Sequence, residues 1–332
     1  MLEHGGRLRA AASRHAIPLE QWLDLSTGIN PNGWPVPAVP DRVWQRLPED
    51  GDELRAIARD YYRAPALLPV AGSQAAIQMI PQLRPACRVG IISPGYAEHA
   101  AAWSRAGHAV HSLTAEQIDR RIGQLDVLVL IHPNNPTGGR FSREQLLTWR
   151  QTLAGRGGWL VLDEAFMDNT PEHSLAPDST LPGLIVLRSL GKFFGLAGVR
   201  VGFVLAEESL LERLNERLGP WAVSGPSRWI ACRALQDRQW QQRTRRQLAR
   251  QAARLARLLQ TVGLKPAGGT MLFQWVITPE AKQIHHQLAE HGILTRLFHK
   301  PASLRFGLPA CPAESDRLQA ALQRIRQETC AP

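Results

Sequence analysis

Lys192 is the side chain of this 332-residue chain that is best placed to act as a nucleophile. It lies in SLGKFFGLAGVRVGF, residues 189–203, among small and apolar residues that remove water from its amine. Loss of hydration favours the neutral, nucleophilic form of a lysine. The simpler alternative is a surface lysine in a glycine-rich loop. The choice between the two depends on which other polar residues accompany Lys192.

Two further polar positions follow apolar runs upstream of Lys192. HPNNPTGG, residues 132–139, comes directly after VLVLI and contains Asn135, whereas WLVLDE contains Asp163. The alternatives are an ordinary strand-ending turn for the first and a helix cap for the second. In an open α/β sheet, however, ligands bind in the loops after the carboxyl ends of strands. Asn135, Asp163 and Lys192, in that order on three such loops, therefore predict a ligand site.

The elements that position these loops alternate along the chain from about residue 52. Short apolar runs predict buried strands, and longer amphipathic stretches predict helices between them. The predicted strands begin at Val89, Val127, Trp159, Leu184 and Val201, and the predicted helices span 52–63, 73–81, 96–106, 142–154 and 206–218. This alternation indicates an α/β domain with a mostly parallel sheet.

The chain divides into three predicted segments. Residues 1–40, rich in Gly, Pro and Asn, predict an extended arm with turns, and residues 41–225 form the large α/β domain. Residues 226–332 predict a smaller α+β domain. It begins with a long helical stretch over 226–262, and strands follow in MLFQWVI, ILTRLF and SLRFGL.

The order of these motifs resembles the fold-type I family of pyridoxal-5'-phosphate enzymes, the aspartate aminotransferase superfamily, over nearly the whole chain. The resemblance implies a large domain with a mostly parallel seven-stranded sheet, in which Lys192 carries the cofactor covalently. It also implies that Asp163 pairs with the protonated pyridine nitrogen and keeps the ring a strong electron sink. Asn135 would donate a hydrogen bond to the phenolic oxygen of the ring.

The same resemblance implies two anchors for the cofactor phosphate. Ser189 and Arg200 form one of them, the arginine through a charge-assisted contact. Gly72, Ser73 and Gln74 form the other, at the start of a helix whose backbone amides favour an anion. The alternative for Ser73 is an ordinary helix N-cap.

Two single residues extend the resemblance. Tyr96, in SPGYAEH, matches the aromatic ring that stacks on the pyridine, and a core or turn tyrosine is its alternative. Arg305, in SLRFGL, matches the arginine that binds the substrate α-carboxylate, a task that suits a bidentate guanidinium. A surface arginine is the alternative there, although the flanks of Arg305 are apolar.

Two positions depart from the pattern of the family. Phe166 stands where many relatives have a tyrosine that bonds the phenolic oxygen, so Asn135 would make that contact alone. Leu47, in RLPEDG, stands where relatives often have a tyrosine that reaches the cofactor phosphate of the neighbouring subunit. Leucine has no polar group for that contact, but the family still implies a homodimer.

The N-terminal arm narrows the choice within the family. HGG at residues 4–6 and LDLSTGINPNG at residues 23–33 resemble the threonine-phosphate decarboxylases of cobalamin biosynthesis. This implies a small phosphorylated amino acid as substrate, which loses carbon dioxide. Histidinol-phosphate aminotransferases share the later motifs and are the alternative, because spacing does not reveal which bond breaks. The candidate substrate contacts are His4, Gly28, Asn30, Asn135 and Arg305.

The net charge of +10 fits either small anionic ligands or nucleic acid. Much of it lies in residues 238–259, where leucines recur at helical spacing and leave the arginines on the opposite face. A solvated helix face is therefore favoured, since no nucleic-acid-binding motif accompanies the charge. A relative that binds the cofactor without catalysis is disfavoured because Lys192 and Asp163 are both present.

Cysteine spacing and hydropathy limit the remaining classes. The four cysteines are scattered without a C-x-x-C pair, which argues against a zinc site or a disulfide framework. No apolar run approaches the roughly 20 residues of a membrane span, and the N-terminus lacks the apolar core of a signal peptide. The expected location is the cytoplasm.

Overall fold

The computed structural model describes Leu2 and residues 4–330, the side chains of residues 328–330 excepted. Its strands are β1 (Leu23–Asp24), β2 (Leu68–Val70), β3 (Arg88–Ile92), β4 (Ala109–Leu113), β5 (Val127–Ile131), β6 (Trp159–Asp163), β7 (Leu184–Ser189), β8 (Gly202–Leu205), β9 (Gly268–Thr270), β10 (Phe273–Ile277), β11 (Ile293–Leu294), β12 (Arg296–His299) and β13 (Ala302–Gly307). Its α-helices are α1 (Leu8–His15), α2 (Asp41–Gln45), α3 (Leu54–Tyr62), α4 (Ser73–Met79), α5 (Ala97–Arg105), α6 (Ile118–Arg121), α7 (Arg143–Ala154), α8 (Glu208–Leu218), α9 (Gly225–Gln236), α10 (Arg238–Thr261), α11 (Ala281–Glu290) and α12 (Pro312–Cys330).

Contacts between residues divide the chain into two units. The first comprises Met1–Asn32, Pro136–Gly138 and Gln242–Pro332, and the second comprises Gly33–Asn135 and Gly139–Gln241. These boundaries differ from those expected from the sequence in two ways. The N-terminal residues belong to the same unit as the C-terminal residues, and α9 belongs to the second unit.

The second unit is built on a seven-stranded sheet with the order β2-β8-β7-β6-β5-β3-β4. The pairs from β4 to β7 are parallel, whereas β8 runs antiparallel to both of its neighbours. Every residue of β5, β6 and β7 is buried, which is why these strands are apolar runs up to the polar residues at the ends of β6 and β7. The expected α/β fold with a mostly parallel sheet is confirmed.

Two strands of this sheet were not expected from the sequence. β2 has three residues and contains Pro69, and its pairing with β8 lies at the edge of the sheet. β4 forms the other edge, and most of its residues are exposed or half-buried, so it lacks an apolar run. β4 needs no continuous apolar sequence because it is mostly exposed, whereas β2 is buried but is short and is interrupted by a proline.

The first unit contains an antiparallel four-stranded sheet with the order β12-β13-β10-β9. It also contains a short parallel pair in which β1 lies beside β11. The amide of Leu23 donates to Gly292 O at 2.8 Å and that of Leu25 to Leu294 O at 2.8 Å. The N-terminal segment is thus held by backbone hydrogen bonds, which explains its contacts with the C-terminal residues.

Two expectations about helices were wrong. The predicted extended arm contains α1, which ends where Ala16 adopts the left-handed conformation at φ 53°. The predicted helix over 226–262 is two helices, because Asp237 leaves helical geometry at ψ 72°. Its carboxylate accepts hydrogen bonds from the Trp240 amide at 2.9 Å and from Trp34 Nε1 at 3.1 Å. The helical pattern on both sides of Asp237 conceals this interruption.

None of the described helices combines the length and apolar character that crossing a bilayer requires.

Candidate active site

The carboxyl edge of the parallel strands brings the predicted loops of the second unit together. Ile131, at the end of β5, is in register with Asp163, and Asp163 is in register with Leu187 of β7. Asn135 lies four residues beyond β5, and Lys192 lies three residues beyond the end of β7. Three polar side chains therefore follow strands that end side by side, as the sequence predicts.

Asp163 is buried and has a specific pair of donors. One carboxylate oxygen accepts from His99 Nε2 at 2.9 Å, and the other accepts from the Ala165 amide at 3.0 Å. His99 is buried as well, so its imidazole fixes the orientation of the carboxylate. His99 was not among the residues expected from the sequence. Its position in the sequence could have indicated this role, because His99 comes three residues after Tyr96 in the predicted helix. That spacing places the two side chains one helical turn apart on the same face.

Lys192 is half-buried, and its Nζ lies 5.6 Å from the centroid of the Phe166 ring. Phe166 is 3% exposed and belongs to the loop that follows Asp163. An aromatic ring at this distance attracts the protonated form of the amine and helps to orient it within the site. The residue that departs from the family pattern is thus in contact with the candidate nucleophile.

The predicted phosphate anchors converge at the start of α4. A Cβ added to Gly72 would lie 2.6 Å from Arg200 Nη2, so the guanidinium lies directly against the backbone before α4. Gly202, which pairs with Ser189 across β7 and β8, approaches the Ser73 amide so closely that only glycine fits. A helix start, a serine and an arginine in one place form a cradle suited to a phosphate.

The cradle also requires unusual backbone conformations. Gly72 has φ 72°, and Arg200 itself is left-handed at φ 56°. A non-glycine residue in that conformation costs about 1 kcal/mol or more. Such strain is typical of positions that bind a ligand.

Tyr96 is placed between the cradle and Asp163. Its hydroxyl donates to Gln74 Oε1 at 3.2 Å, and Gln74 Nε2 donates to Glu98 at 3.0 Å. Burial and the charge of Asp163 raise the pKa of Tyr96 to about 12, so the ring stays a neutral phenol at physiological pH. Tyr96 is therefore a partly buried ring next to Asp163, which is compatible with the predicted stacking.

A second group of charges lies behind the site and was not expected. Arg188, buried in β7, donates to Glu164 at 2.7 Å and to Asp168 at 2.7 Å, and Ser174 also bonds Glu164. Burial opposes the Arg188 cation, but the two carboxylates outweigh this effect and raise the pKa of the guanidinium. Because successive strand residues point to opposite faces, Arg188 lies behind the sheet when Ser189 faces the cradle.

Arg305 lies in the first unit on β13 and is 6% exposed. Its Nη2 donates to Ser26 O at 2.6 Å, and its guanidinium carbon lies 5.1 Å from the centroid of the Phe273 ring. Burial, together with the nearby charge of Arg296, lowers the pKa of Arg305 to about 10. Burial and the neighbouring arginine both oppose the cation of Arg305, so an incoming carboxylate would stabilise it.

The N-terminal candidates lie in the same unit as Arg305. Asn30 is buried, and its Oδ1 accepts from the Asn32 amide at 2.9 Å, while Gly28 is also buried. His4 is half-buried, and the Gly6 amide that follows it donates to Ser26 Oγ at 2.7 Å. The HGG motif is therefore held against the loop after β1, through the same Ser26 whose carbonyl accepts from Arg305.

Comparison with known proteins identifies the family of the chain. A family model described as aminotransferase class I and II matches residues 40–325. A threonine-phosphate decarboxylase of Pseudomonas aeruginosa is 55% identical over 327 residues, 98% of this chain and 99% of that protein. Another threonine-phosphate decarboxylase, from Sinorhizobium sp., is 43% identical over 329 residues, 97% of this chain and 98% of that protein.

Solved structures share the fold at low sequence identity. The histidinol-phosphate aminotransferase from Sinorhizobium meliloti, in complex with pyridoxal-5'-phosphate, matches with a TM-score of 0.84 at 21% identity. The match covers 99% of each chain.

Proposed function

Because the chain belongs to the class I and II aminotransferase family, we propose that it decarboxylates L-threonine O-3-phosphate to (R)-1-amino-2-propanol O-2-phosphate, with pyridoxal-5'-phosphate as its cofactor. The observation that carries the proposal is the 55% identity, over nearly the full length of both proteins, to a threonine-phosphate decarboxylase. We place the reaction in cobalamin biosynthesis, as the resemblance of the N-terminal arm implies.

The chain has residues that fit the cofactor. Gly72, Ser73, Gln74, Ser189 and Arg200 would hold its phosphate, because the cradle combines helix amides with a guanidinium. Tyr96 would cover the ring, and Asn135 would donate to its phenolic oxygen. Asp163, oriented by His99, would hold the proton on the ring nitrogen. When bound, the cofactor supplies a cationic ring that accepts the electron pair left by a broken bond to Cα.

Lys192 has two tasks in the proposed reaction. Its amine is the covalent attachment point, and it attacks as a nucleophile when it carries no proton. After carbon dioxide leaves, Lys192 Nζ would hold the proton that the substrate Cα receives. The same amine would thus serve first as a nucleophile and then as a general acid.

Arg305 and the N-terminal residues would bind the substrate. A bidentate contact from Arg305 fixes the carboxylate, and Asn30, Gly28 and Asn135 would orient the groups around Cα. His4 would contact the substrate phosphate. Binding energy from that distant phosphate would turn the carboxylate into the orientation in which its bond to Cα breaks.

A comparison of two substrates tests this use of the phosphate. We expect holoenzyme to release carbon dioxide from L-threonine O-3-phosphate and to turn over free L-threonine at least about 100-fold more slowly at saturation, because remote binding energy raises kcat. Equal kcat values for the two substrates would contradict the role of the phosphate. No carbon dioxide from either substrate would contradict the proposed function itself.

We further propose that the chain acts as a homodimer. Trp44, Leu47 and Trp221 are 65%, 64% and 57% exposed, which is unusual for large apolar side chains. Trp44 lies on α2, next to Val43, whose carbonyl is in close contact with Gly225 at the start of α9. A second copy of the chain would cover these side chains. Sedimentation should give a dimer, and W44E combined with W221E should shift it towards the monomer.

The proposed location is the cytoplasm. Cys87, Cys232 and Cys311, the cysteines whose side chains the structure describes, are free thiols. Free thiols are typical of a reducing compartment. We assign the positive charge to small anions and solubility, and expect any binding of nucleic acid to be weak and strongly reduced by salt.

A further inference from the structure

A cleft of about 300 Å³ lies in the second unit, beside the start of the edge strand β2. Helix α3 contributes Arg55 and Arg59 to its lining, and helix α8 contributes Glu208 and Glu212. The members of each pair are four residues apart, so they lie on the same face of their helix. The lining therefore combines a cationic pair from one helix with an anionic pair from another.

The four charged side chains do not neutralise one another. No ion pair joins any of them to another residue in the part of the chain that the structure describes. Arg55 Nε is buried, and it has no hydrogen-bond partner among those residues. Asp60, the neighbour of Arg59 on α3, is in contrast paired with Arg238 at 2.6 Å. The charges that line the cleft are thus available to a ligand, whereas a charge next to them is not.

Each of these pairs also places like charges on adjacent turns of a helix, which destabilises that helix. Glu208 is partly compensated, because it lies in the first turn of α8, where the helix dipole favours a negative charge. Glu212 lies beyond that turn, and the arginines of α3 have no such compensation. A ligand that carries both a negative and a positive group would relieve the repulsion in both pairs.

Apolar side chains form another part of the lining. Leu67 and Leu68 are 5% and 3% exposed, and Leu211, on the same face of α8 as the glutamates, is 7% exposed. An apolar group of a ligand would pack against these side chains.

The mixed charge of the lining excludes several classes of ligand. Two glutamates repel a phosphate or a nucleic acid, and two arginines repel a metal cation. A small zwitterion with an apolar group matches all parts of the lining.

We propose that this cleft binds a free α-amino acid with an apolar side chain. Arg55 and Arg59 would bind its carboxylate, since guanidinium groups match the geometry of a carboxylate. Glu208 and Glu212 would bind its ammonium group through charge-assisted hydrogen bonds. The side chain of the amino acid would lie against the leucines.

The cleft is separate from the residues assigned to catalysis. Leu68, which lines it, begins β2, whereas Gly72 of the cofactor cradle follows the end of this strand. None of the residues that line the cleft is a proposed cofactor or substrate contact. The proposal therefore does not depend on the proposed function.

Calorimetric titration of the holoenzyme with L-leucine tests the site. The test variant is E208Q with E212Q, which removes both negative charges and keeps the size of the side chains. The control is E144Q with E216Q, two exposed glutamates outside the lining. We expect the dissociation constant of leucine to rise at least about tenfold in the test variant and to stay within about twofold in the control. R59Q, on the other helix, should weaken binding in the same direction.

Two analogues of leucine separate the two charges of the ligand. Isocaproate lacks the ammonium group, and isoamylamine lacks the carboxylate. Each should bind wild type at least about tenfold more weakly than leucine does, because each leaves one charged pair of the cleft without a partner. Isocaproate that binds as tightly as leucine would show a plain anion site and overturn the proposal.

Decarboxylation without leucine should stay within about twofold of wild type in all of these variants, since none of them alters a proposed cofactor or substrate contact. Absence of leucine binding to wild type, unchanged affinity in the test variant, or an equal loss in the control would each overturn the proposal. Loss of turnover together with affinity would also overturn it, because the cleft would then be part of the substrate site. If wild type releases no carbon dioxide but the test variant still loses leucine, the proposed function fails and the amino-acid site is supported.

Discussion

Asp163 and Glu164 are neighbours in the chain, and both are buried, at 4% and 0% exposure. Asp163 accepts hydrogen bonds from an imidazole and a backbone amide, whereas Glu164 accepts from the guanidinium of Arg188 and from the Leu175 amide. The charge of Glu164 is balanced within the fold. The groups that orient Asp163 leave it able to pair with a ligand cation. Both carboxylates are buried, so it is their hydrogen-bond partners that separate a role in ligand binding from a role in stability.

The electrostatic surroundings support this difference. Burial raises the pKa of Glu164, and the charge of Arg188 opposes that rise. Removal of one partner from such a buried pair leaves an uncompensated charge and costs several kcal/mol. We therefore assign Glu164, Arg188 and Asp168 to the stability of the sheet, and Asp163 to the chemistry at its edge.

The largest expected effect comes from the candidate nucleophile. K192A should lower kcat by on the order of 10⁴-fold or more, because it removes both the covalent attachment and the proton donor. Borohydride reduction of wild-type holoenzyme followed by peptide mapping should place the pyridoxyl group on Lys192. A label on another lysine, or activity in K192A close to wild type, would reject the assignment.

The next effect separates the two carboxylates. D163N should lower kcat by about 10²- to 10³-fold, because an amide does not balance a cationic ring as a carboxylate does. It should retain cofactor and lose no more than about 1 kcal/mol of unfolding free energy. Near-normal turnover in D163N would reduce Asp163 to a helix cap.

The matched change at Glu164 should behave in the opposite way. E164Q should lower the free energy of unfolding by about 3–5 kcal/mol, because Arg188 loses one of its two carboxylates. At a low temperature at which the variant is folded, its kcat per folded molecule should stay within about tenfold of wild type. Urea unfolding would measure the stability of both variants, and steady-state kinetics would measure their kcat. An equal loss of stability in D163N and E164Q would contradict the different roles assigned to the two carboxylates.

The smallest effect concerns pH. The pKa of Arg305 is lowered to about 10, so its cation is present below that pH and is lost as pH rises through it. The KM for threonine phosphate should therefore rise above about pH 10. The product, which has no carboxylate but shares the amine and phosphate, serves as the control inhibitor. An equal rise in its inhibition constant would show that Arg305 is not the carboxylate contact.

The sequence was most informative about buried strands and the loops that follow them. Apolar runs form β5 and most of β6 and β7, so the ends of these runs located Asn135, Asp163 and Lys192. The edge strand β4 was missed because it is mostly exposed and has no apolar run, whereas β2 was missed because it has only three residues and contains Pro69. His99 was missed because its role depends on the packing of α5 against the end of β6, which only the three-dimensional structure shows.

Charged residues behind the site were the least predictable. Arg188 lies in an apolar run, and nothing in its sequence surroundings indicates that Glu164 and Asp168 would both bond it. The break at Asp237 was also hidden, since residues on both sides favour a helix. In each case the structure depends on a tertiary partner far away in the sequence.

A product assay tests the central claim most directly. Holoenzyme is incubated with carboxyl-labelled L-threonine O-3-phosphate and, separately, with histidinol phosphate plus 2-oxoglutarate. The account predicts labelled carbon dioxide from the first mixture and no glutamate from the second. Glutamate without carbon dioxide would make the protein an aminotransferase and contradict the account.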